Sequence, residues 1–454
     1  MREYNLYYDR GDEMTKKKIL VILLILAIAS CEPNSNDASM EPLPTENEDS
    51  LITILPTMLK PFSSPEPANL EPGPLIPQEI IKSYELGDYS FDEVSRLGHF
   101  RMSSVQTADL NQDGLIDLIL GSEEHDSQIQ VYENMGVGVF RNSGAILPFK
   151  PRDSRHFNFG IAVSDLNNDN LPDIVAADAW SGLDVYLNEG DFRFLYLQNY
   201  THPKMVEDKG VAIADLNRDG YNDVIFGDYG GGYYVVFNDG TGKMVASDQT
   251  VDPGTAWSPF IIDINRDGAP DYLSVNRQGQ DGTLQPAKIH INDGDGFFKM
   301  ASDIPDSADD SYQILCEQGD KNTLCFIANS EGDLHRPNRL LDFDTKGNLL
   351  ANRGFGQIGA ETKSMCLADI NRDGTPDIVA GNYNGGSTVN IIKNNQGTLE
   401  LTDSPVYLFD IESTSNIGCA DFNNDGLIDF IVGAESQGHE EFLQYSLLFQ
   451  RPSK

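Results

Sequence analysis

The chain has 454 residues, enough for one large core or several small ones, with ordinary hydrophobic content and a net charge of −39. Such an acid excess weighs against nucleic acid as a partner, because phosphates need a basic surface. It favours solubility and cationic partners without naming one.

In chain order, the first feature is an address. Met14-Thr-Lys-Lys-Lys18 is a basic run, and Ile19 to Ile28 is an apolar run too short to span a bilayer comfortably. It ends in Ile28-Ala29-Ser30-Cys31, which resembles the bacterial lipobox. That resemblance implies cleavage before Cys31 and lipid attachment to its sulfur. Residues 1–30 therefore read as a lipoprotein signal, with Met14 as an alternative start and a plain secretory signal as the alternative reading. Residues 31–83 hold the candidate lipidated Cys31 and a stretch rich in Pro, Ser, Asn and Glu. This composition cannot bury enough surface to offset chain entropy, and it reads as a disordered tether.

From Tyr84 onward the chain repeats. Six nonapeptides place oxygen side chains at positions 1, 3, 5 and 9. The sets are Asp109, Asn111, Asp113, Asp117; Asp165, Asn167, Asp169, Asp173; and Asp215, Asn217, Asp219, Asp223. They continue with Asp263, Asn265, Asp267, Asp271; Asp369, Asn371, Asp373, Asp377; and Asp421, Asn423, Asp425, Asp429. Alternate positions of a tight turn point inward, so these oxygens converge on one hard cation. Calcium accepts many oxygens in loose geometry, whereas magnesium demands a stricter octahedron. Position 6 is Gly except for Asn170, and asparagine tolerates the left-handed backbone required there.

The motif begins like an EF-hand and ends differently. Position 12 carries Leu120, Ala176, Phe226, Ser274, Ala380 and Val432 instead of a bidentate glutamate. A short apolar β-type run follows, as in Asp173-Ile-Val-Ala-Ala177. A cation here would staple a turn between two strands.

First-ligand spacings are 56, 50 and 48 residues, then 106, then 52, so a unit without the motif lies between Asp271 and Asp369. Each unit of roughly 50 residues reads as four strands, which points to a β-propeller blade. These units resemble FG-GAP/VCBS repeats, the blades of integrin-α-like propellers, over most of residues 84–454. The resemblance implies an all-β, seven-bladed propeller with structural Ca²⁺ in six blades. The last unit runs out after its third strand, and Tyr89-Ser-Phe-Asp-Glu-Val94 resembles a fourth strand, so both chain ends are expected to close blade 7.

The fifth unit breaks the rule. Aligning Phe326-Ile-Ala328 with Ile378-Val-Ala380 puts Cys325 at the position of Asp377 and Cys316 beside that of Asp369. Glu317, Gly319 and Lys321 replace three ligands, and Lys321 would repel a cation. No metal is expected there; a Cys316–Cys325 disulfide or two buried thiols are the alternatives. Cys366 and Cys419 read as buried thiols.

The metal loops join strands 1 and 2 and so share one face. Candidates for a ligand face at the opposite end are His156, Trp180, Tyr229, Trp257, Arg336 and Tyr383. Aromatics beside Arg and His suit stacking with polar recognition, although Trp180 and Trp257 also fit plain blade packing. No G-x-S-x-G, H-E-x-x-H or Walker motif appears, and no catalytic residue is assigned. The expectation is a lipid-anchored cell-envelope propeller that binds a protein or glycan and touches the membrane only through its anchor. The alternatives are a carbohydrate-active enzyme of the polysaccharide lyase or hydrolase type, or an envelope assembly scaffold.

Overall fold

Short apolar runs punctuated by Asp, Asn and Gly turns give thirty strands and no helix among the described residues. The computed structural model describes residues 72–452 except 74, 77–79, 87–88, 98–101, 123–128, 146, 148–157, 179–181, 202–207, 229–231, 252–255, 278–282, 331–336, 357–360, 383–387, 396, 402–405, 408–412 and 436–444. Of the sequence candidates, Cys31, His156, Trp180, Tyr229, Arg336 and Tyr383 lie outside the described residues.

Seven antiparallel sheets form the blades of a propeller ring. Blade 1 is the meander Met102–Ala108, Asp117–Ser122, Gln130–Asn134 and Phe140–Asn142. The first strands of blades 2 to 7 are Asn158–Ser164, Asp208–Ala214, Ala256–Ile262, Ser311–Gln318, Thr362–Ala368 and Ser413–Ala420. All seven line one central channel.

Second strands are apolar throughout rather than alternating, because each is covered on both faces by neighbouring blades. In blades 4 and 6, Asp271–Asn276 and Asp377–Asn382 are buried at every position. The apolar core is divided among the seams between blades. Ile119 and Val131 of blade 1 pack with Ile174 and Tyr186 of blade 2. Leu118 and Tyr132 pack in turn with Phe422 and Tyr445 of blade 7. Full burial of each such side chain stabilises by about 1.5–3 kcal/mol.

Closure follows the sequence expectation and extends it. Tyr89–Leu97 pairs with Tyr445–Arg451 as the fourth strand of blade 7, with Ser90 opposite Arg451 and Leu97 opposite Tyr445. Lys82–Leu86 then adds a fifth strand. Farther upstream, the Gly73 and Ile76 amides donate to the Asn142 and Phe140 carbonyls on the outer edge of blade 1 (2.9 and 2.8 Å). The incoming segment thus engages both blades beside the closure before the repeats begin.

Blade 5 replaces the nine-residue loop with a tight turn, in which the Gly319 amide donates to the Asn322 carbonyl. Cys316 and Cys325 face each other across this hairpin and are joined as a disulfide. The thiol reading of Cys366 and Cys419 is corrected: they also form a disulfide, linking blades 6 and 7. Neighbouring first strands run side by side around the channel, which sets these Cα atoms 6.0 Å apart, within bridging range. The repeat period already sets these two cysteines, 53 residues apart, at nearby inner-strand positions of neighbouring blades; the bridging distance is what the sequence does not give.

Phe91 is fully buried in blade 7 with its ring 4.5 Å from Phe430. Phe91→Ala should destabilise the ring by about 3–5 kcal/mol in urea unfolding. A loss below about 1 kcal/mol would mean that the closing strand adds little to the fold.

Candidate metal loops and the channel mouth

The six loops share one construction. Position 2 is always apolar and buried: Leu110, Leu166, Leu216, Ile264, Ile370 and Phe422. It plugs the loop into the seam beneath. Positions 4 and 6 both take left-handed backbone, at φ 57–61° for Gln112, Asn168, Arg218, Arg266, Arg372 and Asn424, and 71–89° at position 6. A Cβ added at Gly114, Gly220, Gly268 or Gly374 would meet nothing within 4 Å. The glycine therefore serves the backbone angle and not a tight space, which is why Asn170 substitutes at φ 71°.

Within each loop the donors are gathered as the motif implied. In loop 1 the Asp113 amide donates to both Asp109 Oδ1 and Asn111 Oδ1 (3.1 Å each), and the Gly114 amide donates to Asp109 Oδ2 (2.9 Å). The Asn111 amide donates to Asp113 Oδ2 (2.9 Å). The same pattern recurs in the other five loops.

Position 9 has a second role that the motif did not reveal. Its buried carboxylate accepts the amide of the residue ending strand 3: Asn134, Asn188, Asn238, Asn292, Asn394 or Gln450 (2.8–2.9 Å). In five loops it also accepts the position-2 amide (2.8–3.1 Å).

The strand-3 side chain then reaches across the seam. Asn188 Nδ2 donates to the Leu110 carbonyl of the preceding loop (2.8 Å) and to the Pro172 carbonyl of its own (3.1 Å). Asn134, Asn238, Asn292 and Gln450 hook the Phe422, Leu166, Leu216 and Ile370 carbonyls in the same way (2.7–3.3 Å). The position-4 side chains reach the other way: Gln112 to the Asn170 carbonyl, Asn168 to Gly220, and Arg372 to Gly426. The available signal in the sequence is that the hooking Asn stands two residues before a Gly after four of the loops, as in Asn188-Glu-Gly190.

The donor chemistry fits a hard divalent cation. Three carboxylates and one amide oxygen are drawn together, and a carboxylate holding two amides still has lone pairs to offer. In the fifth loop, that of blade 6, Asp377 Oδ2 is buried without a hydrogen bond, and the Ile370 amide turns instead to the Ala368 carbonyl (2.9 Å). Among the described residues, no group of three or more His, Cys, Asp or Glu side chains is placed to hold a metal ion as it stands, so a cation would have to draw the three Asp of a set closer together.

Crowding shows in the acidities. Burial, then Asp113 and Asp109, push Asp117 from 3.8 to about 7 against the amides that lower it. Asp173, Asp223 and Asp271 rise to about 6 and Asp429 to about 8, with burial the largest cause. In metal-free protein these groups keep protons that the unfolded chain has shed, so the folded state binds more protons and loses stability as pH rises through that window. With chelator present, the melting temperature should fall from about pH 5 to about pH 8, and calcium should flatten the fall by favouring the ionised form. A rise over this range without metal would contradict the assignment. For the hooks, Asn238→Ala should cost about 1–3 kcal/mol and Asn238→Asp more, because a carboxylate would then face two carbonyls. Equal, negligible losses in urea melts would dismiss the hook.

The opposite end differs. Trp257, the ligand-face candidate that the structure describes, lies near the start of the first strand of blade 4 and lines the channel. Its ring meets Tyr312 edge-on at 5.9 Å. The Arg277 guanidinium lies 4.7 Å from the Trp257 ring centre and 3.8 Å from that of Tyr312, and it pairs with Asp310. Tyr312 donates to Glu361 (2.7 Å). Burial, with Glu361 and Asp310 nearby, pushes the Tyr312 phenol well above its ordinary range, so it remains a neutral donor. This cluster spans blades 4 to 6, the seams around the loopless blade.

The sequence profile described as "FG-GAP-like repeat" matches residues 109–176, 165–226, 215–274 and 369–432. These ranges contain all six loops and leave out blade 5. Among solved structures, the chain resembles BBS1N in complex with ARL6DN, in crystals soaked with lead (12% identity, 81% of this chain and 98% of that chain, TM-score 0.47) or with mercury (11%, 82% and 99%, TM-score 0.49).

Proposed function

Since the chain belongs to the FG-GAP-like repeat family, whose profile covers just over half of it, we propose that it is a calcium-stapled interaction propeller of the cell envelope. Calcium held in six loops fixes one end of the ring, and the opposite end receives a protein or glycan partner. Cys31 carries the lipid that anchors it, and residues 32–71 hold the ring off the membrane, the rest of the expected tether being docked on blades 1 and 7. Two disulfides support an oxidising, extracytoplasmic setting.

The observation that carries this reading is the unlike construction of the two ends. At the loop end, the turns are spent on one another through hooks and position-4 side chains. At the other, aromatic and charged side chains surround the mouth of an open channel.

A ligand that binds only the folded state stabilises it, by about 2.7 kcal/mol per site at a hundredfold excess over Kd. EDTA should therefore lower the melting temperature markedly, and calcium should restore it. Cross-linked partner capture from envelope membranes should be lost with the metal. A metal-loaded sample indifferent to EDTA would refute the staple, and capture unaffected by unfolding the ring would refute the interaction face.

A further inference from the structure

The channel wall is chemically unlike the rest of this protein. The chain has 71 acidic residues, yet among the described residues none lines the cavity of about 480 Å³, and Lys363 is the single charged side chain described there. The other polar groups are hydroxyls and amides: Ser104, Gln106, Ser258, Gln313, Ser364 and Asn416. Trp257 and Tyr312 sit at the mouth opposite the metal loops, both lining the cavity. The volume falls within the range of small-ligand sites.

The mouth is held in one arrangement by buried polar groups on the flanks of its residues. Beside Tyr312, Ser311 donates to Asn329 Oδ1 (2.8 Å), and Asn329 Nδ2 donates to Asp309 (3.0 Å). Arg339 pairs with the same Asp309 (3.1 Å). Between Glu361 and Lys363, Thr362 accepts from Asn338 (2.9 Å) and donates to Asn382 (2.8 Å). Polar groups this deeply buried are costly unless every partner is in place, and here they fix the segments that present the mouth. Pre-ordered aromatics lose little entropy when a ligand stacks on them.

We propose that this mouth is a binding site for the end of an uncharged oligosaccharide, one or two sugar units entering the channel with Trp257 as the stacking platform. Hydroxyls and amides on the wall suit a polyhydroxylated ligand, while the acids beside the mouth, Asp310 and Glu361, are engaged by Arg277 and Tyr312. A protein of net charge −39 repels anionic glycans at long range. The site rests on the interaction-face reading above and gives its partner a chemical class.

The test uses the calcium-loaded full chain. Trp180 and Trp257 are the two tryptophans, so Trp180→Phe leaves Trp257 as the sole tryptophan, excited selectively at the red edge of the aromatic band. Titration with maltotriose, cellotriose and chitotriose should shift Trp257 emission saturably for at least one of them, and trigalacturonate should bind at least tenfold more weakly. Trp257→Ala should abolish binding, followed by calorimetry, while leaving calcium-dependent melting in place. Ala162→Phe, which narrows the channel from blade 2 without touching the mouth, should weaken binding at least tenfold. Silence from all three sugars, tighter binding of the uronate, or binding unchanged in both variants would overturn the proposal. So would protection of Trp257 by a protein segment instead of a sugar. If the sugar site fails but envelope partners are still captured, the interaction module stands without it; if capture also fails, both readings fall.

Discussion

Every seam between two metal-loop blades depends on one arrangement: a buried Asp that holds a strand-3 amide, and a side chain there that holds the neighbouring loop. The carboxylate at position 9 fixes where strand 3 ends relative to its own loop. That placement aims Asn134, Asn188, Asn238, Asn292 or Gln450 across the seam at a position-2 carbonyl. The motif is therefore a joint between blades as much as a cage for a cation, and a perturbation of one loop is felt by the next.

Blade 5 shows the same constraint by lacking it. With no loop, it offers no position-2 carbonyl, and Asn394 of blade 6 holds only its own Pro376 carbonyl (3.0 Å). Arg266 compensates on one side by binding the carbonyls of the blade 5 turn, joined by Gln318 on the Asp263 carbonyl (2.6 Å). At the far end, Arg277 between Trp257 and Tyr312, and Tyr312 on Glu361, cross the same two seams. The two seams of the loopless blade are thus joined at both ends, with Arg353 on the Gly397 carbonyl (3.3 Å) at the loop end of the second, and the far joint also shapes the channel mouth.

Much of this was legible in the sequence. Six Asp/Asn ladders at a fixed period specify blades because a cation loop must sit between two short strands, and Tyr89–Leu97 betrayed the closure by matching an absent fourth strand. Alignment within one hairpin set Cys316 and Cys325 across from each other and left disulfide and thiols as alternatives, between which the bridge decides. What escaped depends on distances between repeats. The hooks and the Arg277 cluster join residues separated by one or more strands and a seam, for which periodicity carries no signal; for Cys366 and Cys419 the period gives neighbouring blades but not the bridging distance. Positive φ at position 4 escaped because Gln, Asn and Arg there look like ordinary exposed residues. Their strain is offset by hydrogen bonds that exist only once the next blade is in place.

Metal stoichiometry tests the account most directly. Native mass spectrometry of the folded chain, titrated with calcium and compared with an Asp→Asn series at the position-5 residues, counts ions blade by blade. The account predicts six calcium ions, one lost with each substitution, and none assigned to blade 5. A chain that binds no calcium, or that keeps its full complement after a loop loses its carboxylate, would contradict it.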